Sequence, residues 1–214
     1  MKICVLFDLD GTLLDTLEDL TDGVNYALSR YGLPQRTIEQ VRSFIGNGAA
    51  LLIQRASGNV ENWREIFACY KAYYDAHCQI KTKPYDGVLE AIKEIQREYP
   101  VAIVSNKQDE AVKTLCADYF PGVYGLGETP DCPRKPAPDM LRKTMAAVGA
   151  DRCVYVGDSE VDIITAENAC APCVSVLWGF RDGDTLRQYG AKYCCEDARR
   201  LPEYIKTAIK EYYG

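Results

Sequence analysis

A chain of 214 residues suits one domain of ordinary size, or one domain with a modest insert. Hydrophobic residues make up 47% of it and charged residues 26%, which excludes global disorder. The net charge of -6 excludes a nucleic-acid binder that works through a basic stripe, because there is no cationic excess to release phosphate counterions.

The first elements predicted along the chain are one strand and then helices. Residues 2–9 are a short apolar run followed by Asp10-Gly11, which is typical of a buried strand. Helical spacing of apolar residues, with a capping-box sequence at Thr37, follows. The predicted helices run over residues 17–31, 37–44, 49–56 and 62–80. Residues 15–83 are therefore expected to contain helices only.

From residue 84 onward, strands and helices alternate. The predicted strands are 101–104, a short one near 123–124, 153–156, 174–177 and an edge strand at 191–194. The predicted helices are 88–98, 109–119, 137–148, 161–168 and 201–212. This alternation predicts a parallel sheet covered on both faces. We therefore expect an α/β fold: a doubly wound, Rossmann-like core of residues 1–14 and 84–214, with an all-helical cap of residues 15–83 inserted after the first strand.

Two features of the sequence predict a cytoplasmic protein. The longest mostly apolar run, residues 169–180, contains Pro172 and is shorter than the roughly 18 residues of a membrane helix. The apolar stretch near the N-terminus stops at Asp8, too early for the core of a signal peptide. The ten cysteines are then expected to be free thiols. Cys170 and Cys173 have CxxC spacing but lie between a helix and a strand, which is not the context of a redox motif.

Polar side chains stand where ligands bind in an open parallel sheet, beyond the carboxyl ends of the strands. The candidates are Asp8, Asp10, Ser105, Asn106, Lys135, Asp158 and Asp162. Five of them have an ordinary structural alternative: a turn residue for Asp10, a helix cap for Asp158 or Ser105-Asn106, and a solvated side chain for Lys135. Their common position at one edge of the sheet instead indicates a site.

The four carboxylates predict a cation. Asp8 and Asp10 project to the same side of a strand, and Asp158 and Asp162 share one face of a helix start. Converging carboxylates repel one another, and a divalent cation removes that repulsion. Oxygen ligands without a nearby histidine or thiolate select a hard ion, and Mg²⁺ suits a few carboxylates together with a phosphate.

The same segments resemble the four motifs of the haloacid dehalogenase superfamily, in the family's order. They are Phe-Asp-Leu-Asp-Gly-Thr-Leu at 7–13, Ser105-Asn106, Lys135, and Gly-Asp-Ser-x-x-Asp at 157–162. The helical insert resembles the superfamily's type-1 cap. Residues 41–48 and 178–181 are further similar to its phosphoglycolate phosphatase branch.

The resemblance implies a phosphatase that works through an aspartyl-phosphate. Asp8 is implied to attack phosphorus, and Asp10 to protonate the leaving alkoxide and then to activate water. Lys135 offsets negative charge, and Ser105 with Asn106 holds the phosphoryl oxygens. The implied metal ligands are Asp8, the main-chain carbonyl of Asp10, Asp158 and, through water or as an orienting group, Asp162.

The cap is expected to close over the site and to contact the leaving group, so that it determines which substrate is accepted. The candidate substrate residues there are Arg42, Gly46, Asn47 and Gly48. The predicted substrate is a small phosphorylated metabolite, with 2-phosphoglycolate first. The alternatives are a phosphatase acting on pyrophosphate, a nucleotide or a sugar phosphate, or a phosphomutase of the same superfamily. Neither a nucleic acid nor a membrane is expected as a partner, and the chain is expected to be a monomer or a homodimer.

Overall fold

The computed structural model describes residues 2–214, and a six-stranded parallel sheet forms its centre. Its strands are β1 (Ile3–Phe7), β4 (Val101–Gln108), β5 (Tyr124–Glu128), β6 (Arg152–Gly157), β7 (Cys173–Val176) and β8 (Tyr193–Cys195). They lie in the order β5-β4-β1-β6-β7-β8, and every neighbouring pair is parallel. The predicted α/β fold with a doubly wound parallel sheet is confirmed.

Helices cover both faces of the sheet, because its central strands are apolar on both sides. The core helices are α5 (Val88–Ile95), α6 (Asp109–Tyr119), α7 (Asp139–Ala147), α8 (Glu160–Asn168), α9 (Gly183–Gln188) and α10 (Leu201–Tyr213). On one face Val5 and Phe7 pack with residues of α5, α6 and α10. On the other, Leu6 and Tyr155 pack with residues of α7 and α8. Alternate residues of β1 thus supply two separate cores.

The segment after β1 forms a helical layer with its own apolar core. Its helices are α1 (Leu17–Arg30), α2 (Ile38–Phe44), α3 (Ala49–Ala56) and α4 (Trp63–His77). Val24, Leu28, Ile53 and Ile66 are fully buried among them. The capping box at Thr37 is present as the sequence predicted. The division at 14/15 and 83/84 remains a prediction, although a separate cluster of this kind supports it.

The two chain crossings between the sheet and the helical layer lie side by side. β2 (Leu14–Asp15) pairs antiparallel with β3 (Lys83–Pro84). The expectation that residues 15–83 contain helices only is therefore wrong at both ends. A strand of two residues is too short to show an alternation of apolar and polar residues in the sequence. These strands are recognised only from their pairing in the structure, which joins Asp15 to Lys83, 68 positions later.

Two core elements also differ from the sequence prediction. β4 continues to Gln108 instead of stopping at Val104, with a shift of register between those residues. Ser105, Asn106 and Lys107 therefore lie in an irregular strand end and not in a following loop. The helix α9 was not predicted, because its six residues are too few to show an apolar period; Asp182 caps it by accepting a hydrogen bond from the amide of Thr185.

All ten cysteines are free, which confirms the sequence prediction. Within residues 2–214, no helix has both the length and the apolar character that crossing a bilayer requires.

Gly157, at the end of β6, sets how closely α8 can approach the sheet. A Cβ added there would overlap the carboxyl group of Asp162. Overpacking typically costs ~1–3 kcal/mol. We expect Gly157→Ala to lower the free energy of unfolding by about 2 kcal/mol or more, measured by urea denaturation. Gly183→Ala is the matched control, since an added Cβ there meets the flexible end of Arg187 at 3.2 Å and makes ordinary contact with Leu177 at 3.5 Å. Equal stability of the two variants would contradict this role of Gly157.

Candidate active site

Three buried aspartates from two neighbouring strand ends meet at the carboxyl edge of the sheet. Asp8 follows β1, Asp158 follows β6, and Asp162 lies in the first turn of α8. One carboxylate oxygen of each lies within 4.8 Å of those of the others. These three acidic residues of the sequence prediction are therefore brought together.

A buried lysine lies among these aspartates. Nζ of Lys135 is 2.9 Å from Oδ1 of Asp8 and 2.8 Å from Oδ1 of Asp162. It also donates to the hydroxyl of Tyr155, at 2.8 Å. The side chain of Lys135 is 2% exposed, so the structural alternative of a solvated lysine is wrong. Its ammonium group joins the predicted nucleophile to the fourth motif.

Asp162 is held by its own helix. Ser159 is the N-cap residue of α8, and Oδ2 of Asp162 accepts hydrogen bonds from its amide and hydroxyl. Oδ1 accepts from the Tyr155 hydroxyl, at 3.1 Å, in addition to its contact with Lys135. Both oxygens thus have protein partners, which favours an orienting role for Asp162 over direct metal binding.

Asp158 is fixed by the loops on either side of the site. Its Oδ1 accepts a hydrogen bond from the Thr12 hydroxyl at 3.0 Å, and its Oδ2 accepts one from the amide of Phe180 at 2.7 Å. Because Ser159 caps α8, the alternative that Asp158 is only a helix cap is wrong. Thr12, in the turn after β1, orients Asp158.

The electrostatics of the cluster favour a bound cation. Burial, and the repulsion of neighbouring carboxylates, raise the pKa of Asp158 well above its usual value. Burial likewise raises the pKa of Asp8 to about 7, against the lowering effect of Lys135. The pKa of Lys135 is raised by Asp162 and Asp8 in spite of its burial. One ammonium group thus faces three carboxylates, and a divalent ion would supply the missing positive charge.

The donor set of this cluster suits a hard cation. Oδ1 of Asp8 is buried and accepts no well-aligned hydrogen bond from any residue in the described part of the chain. The available ligands are carboxylate oxygens, with no histidine or thiolate among the residues of the acidic group. Oxygen ligands of this kind suit Mg²⁺, which also keeps several waters. The residues present therefore fit the predicted ion.

Asp10 has a different environment from the other three aspartates. Its Oδ1 accepts hydrogen bonds from the Thr16 hydroxyl, at 2.7 Å, and from Nζ of Lys107, at 2.9 Å. Lys107 also donates to Oδ2 at 3.2 Å and to the hydroxyl of Tyr74 at 2.7 Å. Asp10 thus lies between the core and α4. Lys107 was not assigned a role from the sequence, although it directly follows the predicted pair Ser105-Asn106.

Asn106 ties three segments of the site together. Its Oδ1 accepts from the amide of Lys135, and its Nδ2 donates to the carbonyl of Lys135, both at 2.9 Å. Nδ2 also donates to the carbonyl of Gly46 at 3.1 Å. Ser105, which is buried beside it, accepts a hydrogen bond from the amide of Lys107. The three predicted phosphate-binding residues, Ser105, Asn106 and Lys135, all line the central cavity.

The helical layer closes over this cavity through the loop between α2 and α3. Gly46 and Gly48 line it, and both have positive φ angles, +117° and +83°. A Cβ on Gly48 would lie 3.2 Å from side-chain atoms of Arg134 and Glu128, so the loop approaches the core closely. Arg181 holds the same loop by donating to the carbonyls of Ile45 and Arg42.

Two predicted substrate residues do not reach the cavity. Arg42 is exposed and lines an outer groove, and Asn47 is absent from the described residues of the cavity wall. Arg42 lies in the C-terminal turn of α2. The orientation of that turn points the Arg42 carbonyl toward Arg181 and the Arg42 side chain toward solvent. The helical wall of the cavity is apolar and aromatic instead, with Leu20, Ile45, Ala49, Leu52, Tyr70 and Tyr74.

His77 is not among the residues of this wall. Its ring stacks on Tyr73 with centroids 4.0 Å apart, and its Nδ1 contacts the carbonyl of the same residue. Tyr70 and Tyr74 of α4 both pack within the helical layer and line the cavity.

Comparison with known proteins agrees with this geometry. The model of the haloacid dehalogenase-like hydrolase family matches residues 5–176. Phosphoglycolate phosphatase 1 of Pseudomonas aeruginosa is 31% identical over 212 residues, covering 92% of this chain and 77% of its own length. Phosphoglycolate phosphatase of Neisseria meningitidis is 33% identical over 226 residues, covering 98% and 91%.

A solved structure is similar over nearly the whole chain. A crystal structure from Lactobacillus delbrueckii subsp. bulgaricus, provisionally named a phosphoglycolate phosphatase, is 36% identical with a TM-score of 0.90. The match covers 94% of this chain and 97% of that one. The family resemblance seen in the four motifs is confirmed. The chain therefore belongs to the haloacid dehalogenase-like hydrolases, and within that family it is a phosphoric monoester hydrolase.

Proposed function

We propose that this enzyme is a Mg²⁺-dependent phosphatase that hydrolyses a small phosphomonoester, 2-phosphoglycolate first among the candidates, through an aspartyl-phosphate on Asp8. The observation that carries the proposal is the buried group of Asp8, Asp158 and Asp162 around Lys135. It combines a nucleophile, an acidic cation site and a fixed positive charge at one edge of the sheet.

Asp8 and Asp158, with the main-chain carbonyl of Asp10, would hold the metal. When bound, Mg²⁺ neutralises charge on the phosphoryl group and on the carboxylates around it. Asp162 already has hydrogen-bond partners for both oxygens, so its task in this proposal is to position Lys135.

Asp8 acts as the nucleophile in the proposed reaction. One of its oxygens bonds to phosphorus while the bond from phosphorus to the ester oxygen breaks. Asp10 gives its proton to that leaving oxygen, and it later takes a proton from the water that attacks the aspartyl-phosphate. Inorganic phosphate leaves and the carboxylate of Asp8 is restored. Lys135 offsets the charge on Asp8 and on the phosphoryl oxygens, which Ser105 and Asn106 are positioned to bind.

The size of the cavity supports a small substrate. The cavity beneath the helical layer has a volume of about 60 Å³. The relatives named phosphoglycolate phosphatase support 2-phosphoglycolate over the alternatives. No observation favours a pyrophosphate, a nucleotide or a sugar phosphate. By the family resemblance, a phosphomutase would use a histidine of the cap to assist the sugar hydroxyl. It is not favoured either, because His77, the one histidine of the sequence, lies outside the cavity wall.

We also propose that the enzyme works in the cytoplasm. Its ten free cysteines suit a reducing compartment. The state of assembly, monomer or homodimer, stays a prediction from the sequence.

The nucleophile is tested by Asp8→Asn. An amide oxygen is a poor nucleophile and the substitution is nearly isosteric, so phosphate release should fall at least about a thousandfold while the fold is kept. Phosphate release from 2-phosphoglycolate measures the activity, and circular dichroism checks the fold. Asp118→Asn, at an exposed site on α6, is the matched control and should stay within twofold of wild type. Substantial turnover by Asp8→Asn would exclude Asp8 as the nucleophile.

The metal requirement is tested by chelation. Phosphate release should fall to background in excess EDTA and return when Mg²⁺ is restored. Ca²⁺ should not restore it, because the larger ion accepts more ligands and a looser geometry. Full activity in the presence of chelator would show that the acidic cluster works without a divalent ion.

A further inference from the structure

Two tyrosine hydroxyls in the wall of the cavity can donate hydrogen bonds that no acceptor in residues 2–214 receives. Tyr70 is 3% exposed and lines the cavity, yet its hydroxyl has no hydrogen-bond partner in residues 2–214. The hydroxyl oxygen of Tyr74 accepts from Lys107, and its own proton has no acceptor in the same range. Both tyrosines line the cavity, so a ligand that supplies acceptors there would satisfy these two donors.

The two tyrosines are held rigidly in this position. Their rings stack with centroids 5.3 Å apart and planes at 13°. Both pack against α1 at Gly23, where an added Cβ would lie 3.1 Å from the ring of Tyr70 and 3.3 Å from that of Tyr74. Burial raises the pKa of both phenols well above its usual value, so each keeps its proton and remains a donor.

Lys107 supplies the positive charge in this part of the cavity wall. Its side chain is 5% exposed. Within residues 2–214, its ammonium group donates hydrogen bonds to Asp10 and Tyr74 only. Lys107 therefore lies between Asp10, the proposed proton donor, and the hydroxyl of Tyr74.

The spacing suits a short acidic leaving group. Asp10 must come within about 3 Å of the ester oxygen to protonate it. In an ester of a 2-hydroxy acid, the carboxylate oxygens lie roughly 2.6–3.6 Å from that ester oxygen, across three bonds of ordinary length. Nζ of Lys107 is 2.9 Å from Oδ1 of Asp10. A carboxylate on the leaving group is therefore within reach of the ammonium group. The apolar residues of the helical wall, Leu20 and Leu52 among them, offer no polar partner to a longer chain.

We propose that Tyr70, Tyr74 and Lys107 bind the carboxylate of the leaving group and so select phosphate esters of short hydroxy acids. This proposal rests on the proposed phosphatase activity and assigns its specificity to residues other than Arg42 and Asn47. Those two were predicted from the sequence to perform this task, and the structure keeps them out of the cavity wall.

The test compares two esters that differ in this carboxylate, 2-phosphoglycolate and ethyl phosphate. Tyr70→Phe removes only the hydroxyl. It should lower kcat/KM for 2-phosphoglycolate about 10- to 100-fold, as expected for a lost hydrogen bond to a charged group, and change the value for ethyl phosphate less than about twofold. Tyr74→Phe should shift the same ratio in the same direction. Tyr73→Phe is the matched control, since Tyr73 stacks on Tyr26 and His77 outside the cavity.

Binding gives a second readout without turnover. In the Asp8→Asn background, calorimetry should show weaker binding of 2-phosphoglycolate after Tyr70→Phe, and unchanged binding of ethyl phosphate. Equal losses for both esters, or no loss for either, would overturn the carboxylate site and leave the phosphatase proposal intact. A wild-type enzyme that releases phosphate from neither ester would instead contradict the proposed function, and the carboxylate site with it.

Discussion

The rest of the site depends on the buried ion pairs that the ammonium group of Lys135 forms with Asp8 and Asp162. Three carboxylates within 4.8 Å of one another would not remain ionised in a buried position without positive charge nearby. Lys135 supplies part of that charge, and a divalent cation would supply the remainder. Removing one partner of a buried ion pair commonly costs ~3–5 kcal/mol, because the other charge is left uncompensated.

The surrounding structure fixes this charge in place through main-chain hydrogen bonds. Asn106 binds the backbone of Lys135 on both sides, and the capping box of α8 holds Asp162. The same core residues reach the helical layer, since Asn106 and Arg181 donate to carbonyls of the loop between α2 and α3. Phe180 adds an apolar contact by packing into the core of that layer. Closure of the cavity and the arrangement of the charged groups therefore depend on shared residues.

Much of the fold and the charged centre follows from the sequence. The parallel sheet, most helices and the gathering of Asp8, Lys135, Asp158 and Asp162 could be predicted, because apolar periodicity locates strands and parallel strands bring their carboxyl ends to one edge. The pairing of β2 with β3 could not, since two-residue strands have no local signal. Asp10 was assigned to the site, but its partner Lys107 was missed, because only the bend at the end of β4 directs it there.

The residues proposed to bind the leaving group could not be predicted from the sequence. Arginine and asparagine near glycines suggested a substrate site, but the phase of α2 places Arg42 outside. The aromatic residues of α4 resemble ordinary helix packing in sequence, and only the three-dimensional arrangement shows which tyrosines face the cavity. Side-chain direction on a short helix depends on tertiary contacts that a single sequence does not record.

The central claim is that Asp8 carries the phosphoryl group during turnover. The most direct measurement is acid quenching during turnover of 2-phosphoglycolate, followed by borohydride reduction and peptide mapping by mass spectrometry. Borohydride converts an acyl phosphate to an alcohol, so the account predicts homoserine at position 8 and unmodified aspartate at position 10. Reduction at another carboxylate, or none in an enzyme that is turning over, would contradict the account.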